Sequence, residues 1–389
     1  MRRRLTLNIQ SGNHVRRDCP ISVPWPEELE GGNWRLRNKN GSLTPLQISP
    51  AGSAFFVLKR LSPSLDRTYE LYREGDGARP NDTKSAGRAG AGVSISQDEP
   101  ETLTVRLNGA LLTQYRYGND LPRPCFYPLL GPHGVPITRS YPLAVALQPE
   151  ATDHPHHTSL WIAHGEVSGV DNWSVEPGHG FTRHLSTDLV EQGPVYGRFR
   201  TTSEWRASDG RPILNQLLEV IAWATRSPLR LVDVSVTLRA DKEDVLLGDT
   251  KEGGIVSLRV ADELTVLQGG QIENVYGAIN EDEAWGKSAH WCDYSGMVGG
   301  RHLGVAVMDH PQSFRYPTHW HVRNYGLMTA NPFGYSAFSK GLRAGSHLLR
   351  KGDRVEFRYR LALHTGSPRA AGLPVHYLNF VSPPVVQIS

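Results

Sequence analysis

Along much of the chain apolar residues fall at every second position, as in Leu231-Val232-Asp233-Val234-Ser235-Val236-Thr237-Leu238 and in Val355-Glu356-Phe357-Arg358-Tyr359-Arg360-Leu361-Ala362-Leu363. A pleated strand sends successive side chains to opposite faces, so this spacing predicts strands with one face on a core and the other in water. The same reasoning predicts strands at Val93–Ser96, Thr102–Leu107, Leu111–Tyr115, Val195–Arg206 and Leu214–Ala224. Turn signals such as Ser208-Asp209-Gly210 and Arg226-Ser227-Pro228 separate the last of these. No 3.6-residue period lasts beyond a couple of turns. The fold class is therefore all-β, built on large antiparallel sheets.

The pattern also breaks in informative places. Residues 1–73 hold short alternating segments, Phe55-Phe56-Val57-Leu58 among them, and predict a small N-terminal β-sandwich. From 74 to 92 the chain is Gly, Ala, Arg, Asp and Ser with almost no large apolar residue, which marks a flexible linker. Residues 93–389 then form one large sandwich that carries the active site. Within it, the proline-rich run from Leu121 to Pro136 is expected to be a structured loop, because each proline removes a donor that a central strand needs.

Composition narrows the function classes. The chain has 389 residues, and 42 Lys+Arg against 39 Asp+Glu leave a net charge of only +3, which argues against a nucleic-acid partner. The basic start, Met1-Arg2-Arg3-Arg4, is followed by no apolar run of signal-peptide or membrane-spanning length, so a cytoplasmic protein without a membrane partner is expected. Cys19, Cys125 and Cys292 are odd in number and far apart, and are expected to be buried thiols. There is no signal for a nucleotide cofactor, nor one for oligomeric state.

Chemistry concentrates in four stretches. The densest is Asp153-His154-Pro155-His156-His157-Thr158-Ser159-Leu160-Trp161-Ile162-Ala163-His164-Gly165-Glu166. Histidine titrates nearest neutrality and is the commonest metal ligand, so this run is expected to floor an active site. If it is extended, His154 and His156 share one face and present two nitrogens to a divalent metal. A metal-free reading, with His156, His157 and His164 as acid/base groups and Glu166 as base, stands beside it. The second is Asp249-Thr250-Lys251-Glu252-Gly253-Gly254, where Lys251 and Glu252 can shift each other's proton affinity. The third is Trp285-Gly286-Lys287 with Trp291, where indole faces beside charges suit a sugar ring. The fourth is His319-Trp320-His321-Val322-Arg323-Asn324-Tyr325 followed by Asn331-Pro332-Phe333, a second His-x-His with Arg323 two residues on.

At these residues the chain resembles the bacterial PmoA-like family, whose pattern includes the His154–Gly165 run, the Asp249–Gly253 turn, Trp285–Lys287, and Trp320–Gly326 followed by Asn331–Phe333. The match spans roughly residues 120 to 365, and the family's name implies an oxygenase. More distantly, His164-Gly165-Glu166-Val167-Ser168-Gly169-Val170-Asp171-Asn172-Trp173 is similar to a run in galactose-mutarotase-like proteins, with Glu166 where a second glycine would stand. That resemblance implies a β-supersandwich binding sugar on a concave sheet, with His and Glu moving protons.

The reading is a carbohydrate-active enzyme that cleaves or rearranges a sugar carbon–oxygen bond, as a hydrolase or lyase, with or without metal assistance. His156, His157, His164, Glu166, Lys251, Glu252, His319 and His321 are the expected catalytic groups. Trp161, Asp171, Trp173, Asp249, Trp285, Lys287, Trp291, Arg323, Tyr325 and Asn331 are expected to bind substrate. A non-catalytic sugar-binding or mutarotase-like protein and a metal-dependent oxygenase are the alternatives.

Overall fold

The computed structural model describes residues 5–29, 32–73, 91–146, 148–226 and 228–389. Strands hold 50% of the chain and helices 9%, so the all-β expectation holds. Two eight-stranded antiparallel sheets pack face to face. The first runs, in spatial order, His319–Val322, Leu327–Asn331, Gly253–Arg259, Leu160–His164, Cys125–Leu129, Ala110–Arg116, Thr102–Leu107 and Val93–Glu99. The second runs Phe181–Glu191, Tyr196–Arg206, Pro212–Trp223, Arg230–Arg239, Arg354–Thr365, Arg301–Asp309, Trp291–Val298 and Gln271–Asn274.

Alternation explains what lies between and outside these sheets. Leu160, Ile162, Val256, Leu258 and Trp320 of the first sheet meet Phe199, Leu218, Val234, Val236, Phe357 and Leu361 of the second in one apolar core. Each such side chain contributes about 1.5–3 kcal/mol by leaving water. The intervening residues of the first sheet, Cys125, Trp161 and Ala163, turn to its outer face and join Trp173 and Leu327 in a separate cluster. Long loops cover that outer face.

Residues Cys125–Leu129 form a strand inside the first sheet, not the loop that the prolines predict. Phe126 pairs with Tyr115 and Leu129 with Thr113, so Tyr127 and Pro128 together stand opposite Gln114 in a bulge. On the other side only Cys125 and Phe126 pair, with Trp161 and Leu160. Pro128 thus falls where its missing N–H disturbs no ladder.

The N-terminal segment forms a small sandwich with its own core, which includes Leu7, Ile9, Ile21, Phe56, Leu58 and Leu71. Its boundary departs from the expected division in one respect. Strand Val385–Ile388 belongs to the N-terminal five-stranded sheet and not to the large sandwich, with Leu7 opposite Ile388 and Gln10 opposite Val385. The two parts are docked by polar and aromatic contacts: Gln47 Oε1 accepts the Val195 and Tyr196 amides at 3.0 and 3.1 Å, and Phe55 meets Tyr196 edge-on at 4.8 Å. Of the expected linker, 74–90 lies outside the described residues.

Candidate functional site

A pocket of about 580 Å³ opens on the outer face of the first sheet. It is lined by side chains from several loops and elements that meet there, and most of the sequence-predicted clusters converge on it. The wall contains His154, His156 and His157; Asp171 and Trp173; Lys251 and Glu252; and His321, Arg323 and Tyr325.

The histidine run is a turn and not an extended strand. His154 adopts a left-handed φ of +47°, and the His157 amide donates to the His154 carbonyl at 3.0 Å. The expected His-x-His register is therefore lost. Trp161, His157, His154 and Tyr325 instead stack in a column, with centroid spacings of 5.2, 4.8 and 5.0 Å and interplanar angles of 22°, 7° and 13°. The column is pinned from behind. Asp153 bonds the buried guanidinium groups of Arg139 and Arg259 at 2.5 and 2.7 Å and His154 Nδ1 at 2.6 Å, and Arg259 lies over the Tyr325 ring. Burial alone would raise the Asp153 carboxyl, but Arg259, His154 and Arg139 outweigh it and hold it below the usual range.

His156 stands apart from the column, edge-on to His157 at 4.4 Å and to Trp173 at 5.9 Å. Its ring makes no hydrogen bond among the described residues. Burial, with Arg123 and His154 nearby, lowers it to about 4, so at neutral pH it is an uncharged base. Burial and its histidine and arginine neighbours push His157 down as well. Across the pocket Lys251 and Glu252 form an ion pair. Burial would raise Glu252, but the Lys251 bond and charge prevail and keep it ionised below its ordinary range.

His321 has both nitrogens engaged: Nδ1 donates to the Lys251 carbonyl at 2.7 Å, and Nε2 accepts Arg323 Nε at 3.1 Å. Burial lowers it to about 4. Arg323 Nη1 in turn donates to Glu281 at 2.5 Å, and Glu281 also accepts the Asn324 amide at 2.9 Å. Glu281 lines the pocket, and the sequence reading missed it. Its only signal is an acidic run, Glu281-Asp282-Glu283, just before Trp285. Arg123, also missed, is buried and donates to the carbonyls of His156 and Ser174 at 3.3 and 3.0 Å, fixing the two loops.

Several expected site residues turn out to be scaffold. His164 donates Nε2 to the Gly248 carbonyl at 2.9 Å and packs on Phe333. Glu166 accepts the Gly169 amide at 2.7 Å and closes its own loop. Asp249 accepts the amides of Ser336 and Gly345. Asn331 donates to the carbonyls of Thr250 and Lys251 at 2.9 and 3.1 Å and shapes the turn that presents Glu252. His319 stacks on Phe338 beside the pocket without lining it. Trp161 is fully buried under the column, and Trp285 sits behind Arg323. Trp291 belongs to the second sheet, in a cluster with Trp223 and Tyr377, and Lys287 is exposed outside the pocket. Alternation decides many of these outcomes, since a strand residue shifted by one position faces the other way.

The metal reading has two histidine rings, those of His154 and His156, 5.7 Å apart and at 73° to each other, with His154 Nδ1 engaged by Asp153. Among the described residues no group of three or more His, Cys, Asp or Glu side chains is placed to hold a metal ion. Nor is any helix among them long and apolar enough to cross a membrane.

Comparison with known families covers the greater part of the chain, including the whole pocket, with residues 102–377 matching a single profile. The chain belongs to a family of unknown function, DUF6807. The residues that this DUF6807 member brings to the pocket, from His154 to Tyr325, all lie inside the matched span. No curated protein matches the chain.

Proposed function

We propose that the protein is an enzyme acting on a sugar, moving protons as a sugar carbon–oxygen bond breaks. The observation that carries this reading is the division of the pocket's polar groups. Asp171 is engaged by the Trp173 and Ser174 amides and the Ser174 hydroxyl, Glu281 by Arg323 and Asn324, and His321 at both nitrogens. The His156 ring and the Tyr325 hydroxyl line the same pocket and make no hydrogen bond among the described residues. A pocket that satisfies its structural groups and leaves an imidazole and a phenol free is arranged for proton transfer. Trp173 and Tyr325 supply faces for the C–H side of a sugar ring.

The protonation states support a division of roles. His156 is uncharged and Glu252 ionised at neutral pH, so either accepts a proton from a sugar hydroxyl or C–H. Burial pushes the Tyr325 phenol up to about 12, so it remains protonated and can donate to the departing oxygen. Hydrolysis by paired carboxyl groups needs one of them protonated. Asp171 and Glu252 are both held below their ordinary range: burial opposes this, but Ser174 and Trp173 prevail at Asp171 and Lys251 at Glu252. Ring opening or elimination therefore suits this pocket better than two-carboxylate hydrolysis. The similarity of the 164–173 run to mutarotase-like proteins points the same way.

The test is to incubate the protein with a panel of aldoses, methyl glycosides and disaccharides and follow each by proton NMR, beside the His156→Asn variant. Conversion of at least one sugar, falling about 100-fold or more in the variant, is expected. Binding without conversion by the unaltered protein would leave a sugar-binding protein and sink the enzyme.

A further inference from the structure

We infer that the pocket selects uncharged sugars and discriminates against uronates and sugar phosphates, because each cation that reaches it is already matched to a carboxylate of this chain. This rests on the sugar reading above and adds the substrate class. The lining side chains comprise two cations, Lys251 and Arg323, and three carboxylates, Asp171, Glu252 and Glu281. Lys251 is paired with Glu252 and Arg323 with Glu281. Arg139 and Arg259, behind the histidine column, converge on Asp153 from buried positions and face away from solvent. Arg123 is likewise buried and donates to the carbonyls of His156 and Ser174.

An anionic sugar entering this pocket must separate an existing pair or sit beside the surplus carboxylate. In a partly buried site neither is compensated, since removing a charge from water requires a partner of the opposite sign. A neutral sugar meets no such barrier. Its hydroxyls find donors in Tyr325 and in the N–H groups of Lys251 and Arg323 that their carboxylates leave free, and acceptors in His156 and Glu252. His156, His157 and His321 add no cation at neutral pH, being depressed by burial, and His154 Nδ1 is already bonded to the Asp153 carboxylate.

The design has a consequence that a merely sterically selective pocket lacks. Neutralising either carboxylate releases its cation. Glu281→Gln frees the Arg323 guanidinium, and Glu252→Gln frees the Lys251 ammonium, so each substitution is expected to raise the affinity for a carboxylate-bearing sugar.

The experiment is titration calorimetry of the full chain at fixed ionic strength. The probes are D-galactose, D-glucose and their methyl glycosides, then D-galacturonate, D-glucuronate and glucose 6-phosphate, with the melting temperature of each variant read alongside. The expected result is that a neutral sugar binds at least tenfold tighter than its uronate, and that both variants gain about tenfold in uronate affinity. Uronate or sugar phosphate binding as tight as the neutral sugar overturns the inference and leaves the sugar reading standing. So does a neutral preference that neither folded variant relaxes. Failure of every probe to bind overturns the sugar reading itself.

Discussion

The chain contains two His-x-His patterns, and the structure treats them in opposite ways. His319 and His321 lie on a regular strand, where both face one side of the sheet: His321 holds a carbonyl and an arginine, and His319, its Nδ1 buried without a hydrogen bond, stacks on Phe338 outside the pocket. His154 and His156 lie in a turn opened by a left-handed residue, so their rings diverge. One enters an aromatic column and the other is left facing the pocket. Each pattern leaves one ring without a hydrogen bond, but only the turn, opened by a left-handed residue, puts that ring in the wall of the pocket. The proposed chemistry therefore rests on the irregular pattern.

The largest test of this contrast is a pair of substitutions. His156→Asn is expected to cost about 100-fold or more in turnover while leaving the melting temperature within about 2 °C. His321→Ala is expected to cost about 1–3 kcal/mol of stability, because it removes one hydrogen bond to the Lys251 carbonyl and loosens Arg323; urea denaturation reads this directly. If His156→Asn proves the destabilising one, the assignment of roles is reversed.

Two of the buried histidines held uncharged, His164 and His321, sharpen the comparison through pH. Both are lowered to about 4 by burial, against an unfolded value of about 6.5. Between these values the unfolded chain binds more protons, so the contribution is complete above pH 6.5 and is lost as pH falls toward 4. The slope is about 1.4 kcal/mol per pH unit for each histidine. His364 runs the other way. Burial lowers it, but the Asp293 carboxylate bonded at 2.7 Å prevails and raises it, so its contribution is present below pH 6.5 and fades as pH rises through the elevated value. Denaturation midpoints at pH 7.5, 6 and 5 should therefore fall steadily, and an acid-insensitive protein would contradict the burial of His164 and His321. The smallest effect is reserved for His319→Ala, about 1 kcal/mol from lost stacking with no change in sugar affinity.

Much of this was legible in the sequence, and the failures have physical reasons. Period-two alternation from Leu231 to Leu238 and from Val355 to Leu363 corresponds to paired strands in register, Val236 opposite Phe357. The convergence of His156, Asp171, Trp173, Glu252, Arg323 and Tyr325 follows from clusters whose density was visible residue by residue. The strand at Cys125–Leu129 was hidden because a bulge accommodates proline, and bulges depend on the partner strand. Trp291 misled because an indole looks alike in a core and in a pocket until its sheet is known. Glu281 was invisible because its role exists through Arg323 and Asn324, forty-two and forty-three residues away along the chain.

The strand Val385–Ile388 has a consequence for how the molecule is made. It completes an edge begun by Thr6–Gln10, so this small sheet keeps that strand unpaired on one side while the residues of the large sandwich are still being added. The small sheet begins before the sandwich and is finished after it.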